Sequence, residues 1–380
     1  MKKSIVLFGC GHVAEKHLNL VPAFIVDNNP DLIGTQFHDI EIKSPSILAG
    51  NADDYEVIVC TTSVSEVKSQ LESYGFTWGQ NAKVALLLSE RMEMADLEDT
   101  AFRFLLSSGL PSSAETFSGG GIYLIEESDN FPNATKLYEG NTHGLIRHEE
   151  GYAFSSQGEG IIFLNESFEL TNKISLHSAL RPHGIRQYGD LWVLASSYHD
   201  SIVGVDKNGN EIFEYPFSKK RSDYLSAQHH CNDLFIVGDY AYVSMFSITG
   251  NYKRNSFDGG ILEIDLRNGE MQTLIDGLTM PHSVTCDEQG YKVLDSFKGT
   301  LLADNFQVKA TLPGFVRGYD ADSKYYYLGE SKNRNFSRLN PGRTPVSIDS
   351  RITIINKDFG FSRSIPLPKK VSEIHSLIKL

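Results

Sequence analysis

The sequence predicts two fold classes in succession. An α/β domain spans residues 1–110, and an all-β, six-bladed β-propeller spans 111–380 and is closed by the C-terminal strand. Three observations carry this. A short apolar run, Ser4–Phe8, meets Gly9-Cys-Gly11-His-Val-Ala14 and then a helix-like stretch. The texture changes near residues 108–115, where helix-length segments give way to short β-rich runs between Gly, Asn and Asp. A phrase then recurs: His143-Gly-Leu, His183-Gly-Ile, Asn232-Asp-Leu, His282-Ser-Val, Arg317-Gly-Tyr and His375-Ser-Leu.

Composition bounds the function. With 380 residues the chain exceeds one ordinary core, and 41% hydrophobic with 22% charged residues fits a globular protein. A net charge of −13 argues against nucleic acid or an anionic membrane surface as partner. Four scattered cysteines without Cys-x-x-Cys suit a reducing compartment, and no apolar stretch approaches a membrane span. A cytoplasmic protein is expected, and a homo-oligomer is compatible with these features.

In the first domain, Ser4–Phe8 reads as a buried strand. The glycines permit a tight turn, and a helix N-terminus after it would offer free N–H groups to a phosphate. A second strand, Ala23–Asp27, ends in an acid placed to accept hydrogen bonds from ribose hydroxyls. Gly9, Gly11, His12 and Asp27 are therefore the candidate cofactor-binding residues. Tyr55–Thr61 reads as a strand, Val64–Tyr74 as a helix, Lys83–Leu88 as a further strand and Arg91–Leu106 as a helix leading out. The stretch Asp27-Asn-Asn-Pro30-Asp-Leu-Ile-Gly34, Ile40-Glu-Ile-Lys-Ser-Pro45 and Tyr55-Glu-Val-Ile-Val, closed by Gly75-Phe76, resembles the small Rossmann-like domain of bacterial surface-polysaccharide enzymes such as sugar acyltransferases. That resemblance covers roughly residues 3–80 and implies a bound nucleotide or nucleotide-sugar. A domain that serves only assembly is the bland alternative.

In the second domain the recurring phrases lie roughly 35 to 58 residues apart, close to the length of a propeller blade with loop insertions. A serine ends an apolar run about 12–14 positions after the first five: Ser155, Ser196, Ser244, Ser296 and Ser331. Apolar runs such as Gly160–Leu164, Ser201–Val205 and Gly260–Ile264 read as third strands, and Asp206-Lys-Asn-Gly209 as the turn to a fourth. The last phrase, at His375, has no strands after it, and the first strands, near Gly121–Ile125 and Thr135–Tyr138, have no phrase before them. The C-terminal strand therefore completes the first blade from inside and removes the sheet edge. Strand alternation then places His230 on the face of Asn232 and Arg181 on that of His183. This half resembles the DUF4915 group of bacterial propellers, akin to gluconolactonase and NHL-type rings. The phrases His230-Cys-Asn-Asp-Leu, Met280-Pro-His-Ser, Leu312-Pro-Gly-Phe-Val-Arg-Gly and Gly329-Glu-Ser-Lys-Asn-Arg334 carry that likeness.

In such a ring the first strand of each blade lines the axis. His143, His183, His230, Asn232, His282, Arg317 and His375 are the candidate catalytic residues. The five histidines among them are candidate ligands for a divalent transition metal (Zn, Fe or Mn), which imidazole favours over calcium. Arg317 would clamp a carboxylate or phosphate. The gluconolactonase calcium ligands are mostly replaced here by His, which counts against a calcium lactonase. Lys253 and Arg254 fall in an insertion that could overhang one face of the ring, and Glu330, Lys332 and Arg334 in a charged stretch.

Together these readings point to an enzyme of surface-glycan (capsule or O-antigen) biosynthesis acting on a nucleotide-linked sugar or its substituent by metal-assisted elimination, epimerisation or hydrolysis. The alternative is a non-catalytic ring that binds glycan or a partner enzyme.

Overall fold

A computed structural model describes residues 3–110, 119–128, 131–149, 151–220, 226–332 and 346–380. The chain forms two compact units, Met1–Thr100 and Ala101–Leu380. The division thus falls ahead of the expected 110/111, and residues 111–115 of that expected joint lie outside the described residues.

The first unit is a small mixed sheet where a Rossmann-like domain was expected. Its elements are β1 (Ser4–Phe8), α1 (His12–Glu15), β2 (Phe24–Val26), β3 (Gln36–Phe37), β4 (Ile40–Lys43), β5 (Tyr55–Val59), α2 (Val64–Ser73), β6 (Ala82–Val84) and α3 (Leu86–Asp99). The sheet order is β3-β4-β2-β1-β5-β6, with β3 antiparallel to β4 and the remaining pairs parallel. Alternation along β1 sends Val6 and Phe8 into a core with Val64, Val67 and Leu71 of α2. It sends Leu7 to the opposite face, against Ala14, Ile25 and Ile42.

The second unit contains six four-stranded sheets. One is β7 (Arg103–Ser108), β8 (Gly121–Glu126) and β9 (Asn133–Tyr138), joined by the C-terminal strand described below. The next is β10 (Thr142–His148), β11 (Gly151–Ser156), β12 (Gly160–Asn165) and β13 (Leu170–Ser175). It is followed by β14 (Pro182–Tyr188), β15 (Leu191–Ser196), β16 (Ser201–Val205) and β17 (Glu211–Pro216). Then come β18 (Cys231–Val237), β19 (Tyr240–Met245), β20 (Gly259–Asp265) and β21 (Met271–Leu278). After these stand β22 (His282–Asp287), β23 (Gly290–Asp295), β24 (Thr300–Ala303) and β25 (Gln307–Thr311). The last are β26 (Phe315–Ala321), β27 (Tyr325–Ser331), β28 (Arg351–Asn356) and β29 (Ser362–Pro366). Finally β30 (Ser376–Lys379) pairs antiparallel with β7, Ser376 opposite Ser107 and Lys379 opposite Phe104. The innermost strands β10, β14, β18, β22, β26 and β30 each touch the next, and β30 touches β10, so the ring is closed.

Two readings of the joining segment are corrected. Lys83–Leu88 is not one strand: β6 stops at Val84 and α3 starts at Leu86. Arg91–Leu106 is not one helix: Thr100 is extended (ψ 121°) and ends α3, and the apolar run that follows is β7. A short apolar run looks alike in a buried strand and a buried helix.

The recurring phrase now has a structural meaning at each of its three positions. The first residue lies at the axial start of an innermost strand. The second docks on the next blade. An added Cβ at Gly144 would lie 2.6 Å from the His183 carbonyl oxygen, and at Gly184 2.8 Å from the Leu234 nitrogen, so neither position has room for a side chain. At Asp233 and Ser283, where the second residue is not glycine, it bonds to the neighbouring blade instead. Asp233 Oδ2 accepts from the Ser283 N–H (2.8 Å), and Ser283 Oγ accepts from the Gly318 N–H (3.1 Å). The third residue is core, with Leu145, Ile185, Leu234, Val284 and Leu377 all buried.

Three second-strand serines extend this stitching, whereas Ser196, Ser244 and Ser296 bond within their own blades. Ser155 Oγ donates to the His183 carbonyl (2.7 Å), Ser331 Oγ to that of Ile374 (3.2 Å), and Ser107 Oγ to that of His143. Each bond runs from a second strand to the start of the following blade.

Candidate functional site

The axial residues were built by a local kink repeated around the ring. The pairing between first and second strands slips at or beside each phrase in the five blades from β10 to β26, a β-bulge that re-aims the side chain there. Just before three of them stands a non-glycine residue of positive φ: Arg181 (40°), His230 (56°) and Met280 (54°). Arg181 and His230 therefore precede their strands, and simple alternation does not place them. Arg181 lies over the Tyr198 ring, 4.0 Å from its centroid. His230 packs on Tyr252 (4.6 Å) and Phe246 (4.5 Å).

His143 is the hub of the site. Its ring stacks flat on His183, with centroids 4.2 Å apart and planes 10° apart. Its Nδ1 lies 3.2 Å from Nδ1 of His375. On the far side of His375, Nε2 lies 3.3 Å from Oε2 of Glu373, a buried carboxylate, and 3.5 Å from Nη1 of Arg317. Arg317 and Glu373 are themselves an ion pair at 3.8 Å, and the guanidinium lies over the Phe315 ring. An ionised carboxylate only accepts and a guanidinium only donates, so His375 Nε2 cannot serve both in one tautomer. The shorter contact is the one to the charged acceptor. Nε2–H of His375 then donates to Glu373, and Arg317 answers the carboxylate directly.

His183, stacked on His143, has His230 (5.8 Å) and His375 (6.4 Å) as further ring neighbours. The Asn232 side-chain N–H groups go to the carbonyls of His230 (3.3 Å) and Pro281 (3.5 Å), a structural use. His282, 2% exposed, donates Nδ1–H to the Met280 carbonyl (3.0 Å) and has Ser296 Oγ at 2.7 Å. Its Nε2 is buried and finds no hydrogen-bond partner among the described residues. Burial, and then the charges of Arg317, His375 and His230, hold its pKa well below the ordinary histidine range.

Among the described residues no three His, Cys, Asp or Glu side chains form a group that could hold a metal ion. The histidines expected to hold Zn, Fe or Mn are not gathered into such a group. Nδ1 of His143 and of His375 face each other, and His183 lies flat on His143, so the nitrogens do not converge on a point.

The N-terminal candidates are placed as follows. Gly9 is strained as a tight turn requires (φ 100°), but the helix after Gly11 has only four residues. His12 is exposed and lies 3.4 Å from Glu15. Asp27 is used by the turn itself, accepting from the backbone N–H (3.2 Å) and thiol (3.3 Å) of Cys10 and from the N–H of Asn29 (2.8 Å). Burial, followed by that carboxylate, pushes the Cys10 thiol up to about 11. A cavity of about 680 Å³ in this unit opens beside Lys3, Ile5 and Glu56, at the starts of β1 and β5, whereas the glycine turn follows the end of β1.

Three site residues escaped the sequence reading. Glu373 stands two positions before His375, the spacing that signals a shared strand face, but it precedes β30. Tyr252 comes from the insertion between β19 and β20, beside the Lys253 and Arg254 that drew attention instead. Asp200 sits in the turn between β15 and β16. It is fully buried, and its carboxylate accepts the backbone N–H groups of Gln228, His229 and His230, which holds His230 in place. Glu330 is likewise structural, bonding Gly314 N–H, Thr353 and Arg351. Arg334 lies outside the described residues.

No curated protein matches the chain. Residues 223–380, less than half of it, match the family model for a domain of unknown function, DUF4915. Among solved structures, one of a protein of unknown function from Bacteroides caccae aligns at 12% identity and TM-score 0.51, covering 74% of this chain and 99% of that one. A structure of a nidogen/laminin complex aligns at 12% identity and TM-score 0.50, covering 74% of this chain and 98% of that one. Virginiamycin B lyase from Staphylococcus aureus aligns at 10% identity and TM-score 0.41, covering 70% and 89%, too distant to carry an argument. At such identities the likenesses establish a fold alone: this chain carries a six-bladed β-propeller whose C-terminal part is similar to DUF4915.

Proposed function

We propose that the axial end of the propeller is a small-molecule site that moves a proton through His143, with His375 and Glu373 behind it and Arg317 beside it. The observation that carries this is the unbroken line Glu373 Oε2, His375 Nε2, His375 Nδ1, His143 Nδ1, with contacts of 3.3 and 3.2 Å. With Nε2–H of His375 given to the carboxylate, its Nδ1 carries a lone pair and accepts Nδ1–H of His143. Nε2 of His143 is then left as the basic nitrogen. When it takes a proton, the new charge is shared toward His375 and balanced by Glu373, the logic of a base oriented by a carboxylate. Arg317 supplies the fixed positive charge that holds an anionic group nearby. The proposal concerns acid–base chemistry on a small ligand. Neither the fold nor its likenesses speak for a nucleotide-linked sugar, or for glycan assembly, as the context.

The flat stack of His143 on His183 supports a second reading, a ring that binds its ligand without chemistry, because stacked imidazoles cannot both take up charge cheaply. Nitrogen-15 NMR of the histidine rings tells the two apart. The relay requires His143 to be the Nδ1–H tautomer at neutral pH, and Glu373→Gln to shift the tautomer balance of both His375 and His143. Finding His143 protonated at Nε2 and bare at Nδ1, or unmoved by Glu373→Gln, would sink the relay and leave the binding ring.

A further inference from the structure

A serine and a histidine that take no part in the axial line meet in an arrangement with chemistry of its own. Ser218 follows β17 and is partly buried, and its Oγ stands 2.7 Å from Nε2 of His229. On the other side of that imidazole, Nδ1 lies 2.9 Å from the carbonyl oxygen of Ser247. The partners fix the tautomer. A carbonyl only accepts, so Nδ1 carries the hydrogen. Burial holds the His229 pKa below its ordinary value and the charge of Lys220 adds to this, while Asp200, the bond to Ser247 and Asp258 oppose it. The ring is therefore neutral at pH 7 with Nε2 bare, and the short contact is the Ser218 hydroxyl donating to it.

Each part is held in place. His229 is buried, edge-on to the Phe217 ring at 5.8 Å, and its backbone N–H is bonded to Asp200. Ser218 Oγ also accepts the Lys220 N–H (3.3 Å), which orients the oxygen. Gly250, at φ 67°, lies against the dyad: an added Cβ there would come within 2.8 Å of His229 Nε2 and 3.0 Å of Lys220 Cδ. The Lys220 ammonium is tied to the Thr249 carbonyl and to Oδ1 of Asn251 (3.2 Å), both uncharged acceptors. A fixed positive charge therefore belongs to the same pair of loops.

A hydroxyl nucleophile, a bare base within reach of its proton, and a third group that orients the base are the parts of nucleophilic acyl transfer. We propose that Ser218 is the nucleophile, and His229 the general base, of a second site that cleaves small carboxylic esters. Ser218 Oγ attacks the ester carbonyl carbon while its proton passes to Nε2 of His229. The C–O bond to the alcohol part then breaks, and the imidazolium returns the proton to the leaving oxygen. Water, deprotonated by the same Nε2, attacks the acyl-serine, and the carboxylic acid leaves as the Ser218 hydroxyl is restored. The ammonium of Lys220 supplies positive charge as the carbonyl oxygen becomes an oxyanion.

Diisopropyl fluorophosphate, which traps an activated serine as a stable phosphoryl ester with loss of fluoride, tests this on the full chain by intact and peptide mass spectrometry. One adduct per chain is expected, on Ser218, forming about 100-fold faster than on the urea-unfolded chain, the order a positioned base supplies. Hydrolysis of 4-nitrophenyl acetate should be catalysed by the chain and abolished by the same adduct. Ser218→Ala, a change at a partly exposed loop position, should lose both adduct and turnover. His229→Gln should slow the adduct about 100-fold. No adduct on Ser218, an adduct forming no faster than on the unfolded chain, turnover unchanged in Ser218→Ala, or an unslowed adduct in folded His229→Gln would each overturn the proposal.

Discussion

His282 shows how one buried side chain makes the ring sensitive to acid. Its Nδ1–H is tied to a carbonyl, and its Nε2 lies in a wall shared with Phe246 and Phe315. The folded state therefore holds it neutral, with a pKa well below the ordinary value near 6.5. The unfolded chain binds that proton from about pH 6.5 downward, so its stabilising effect is fully present above that pH and is lost as pH falls toward the folded pKa. Stability should decline from pH 7 to pH 5, with His282 contributing up to about 1.4 kcal/mol per pH unit. His229 is shifted the same way by burial, between Ser218 and the Ser247 carbonyl. Urea unfolding at pH 5, 6, 7 and 8 should give a flatter profile for His282→Gln than for the wild type; parallel profiles would assign the acid sensitivity elsewhere. The sequence marked His282 as axial. It gave no sign that Nδ1 would be committed to Met280, because that bond depends on the positive φ two residues earlier.

At the scale of the elements, the phrase was legible because packing wrote it. The axial position, the docking position and the core position are three different physical demands on consecutive residues. The sequence displayed their period six times. What the second position does became clear only from the neighbouring blade, where the backbone leaves no room for a Cβ at Gly184. Gly184→Ala should therefore cost about 1–3 kcal/mol, the usual penalty of overpacking, while Gly189→Ala, which meets no atom but sits at φ 56°, should cost only about 1 kcal/mol of backbone strain. Chemical denaturation of the two variants checks this, and equal losses would mean that the blade junction yields. Third strands such as β12 and β16 were visible as apolar runs, since nearly every residue in them is buried. The strand β7 was hidden by the same property, because its apolar run follows a helix closely enough to be read as its continuation. The turn after β1 was read as a phosphate cradle from its glycines, but its helix is one turn long and its acid already serves the turn. Both facts depend on chain geometry that a motif does not encode.

At the scale of the whole molecule, closure was foreseen and its partner was not. The C-terminal strand was expected to complete the first blade, and β30 does so by pairing with β7, the strand missed in the sequence. It also carries the axial site to completion, since His375 and Glu373 immediately precede it. Leu377→Pro removes a backbone N–H and a buried leucine from this seam. Loss of more than about 3 kcal/mol is expected, together with an altered His143 ring environment by NMR. A variant that keeps wild-type stability would show that the ring holds without its seam.

That seam also sets an order of events during synthesis. Strand β7 leaves the ribosome long before β30, with the five other blades in between, and at roughly 5–20 residues per second that interval lasts tens of seconds. Throughout it the inner edge of β7 lacks its partner: Phe104, Leu105 and Leu106, all wholly buried in the finished ring, wait beside an unfilled row of backbone donors and acceptors. Such an edge invites pairing with another nascent chain. Two chains emerging side by side on one messenger could exchange their last strands, each closing the other's ring and completing the other's histidine line.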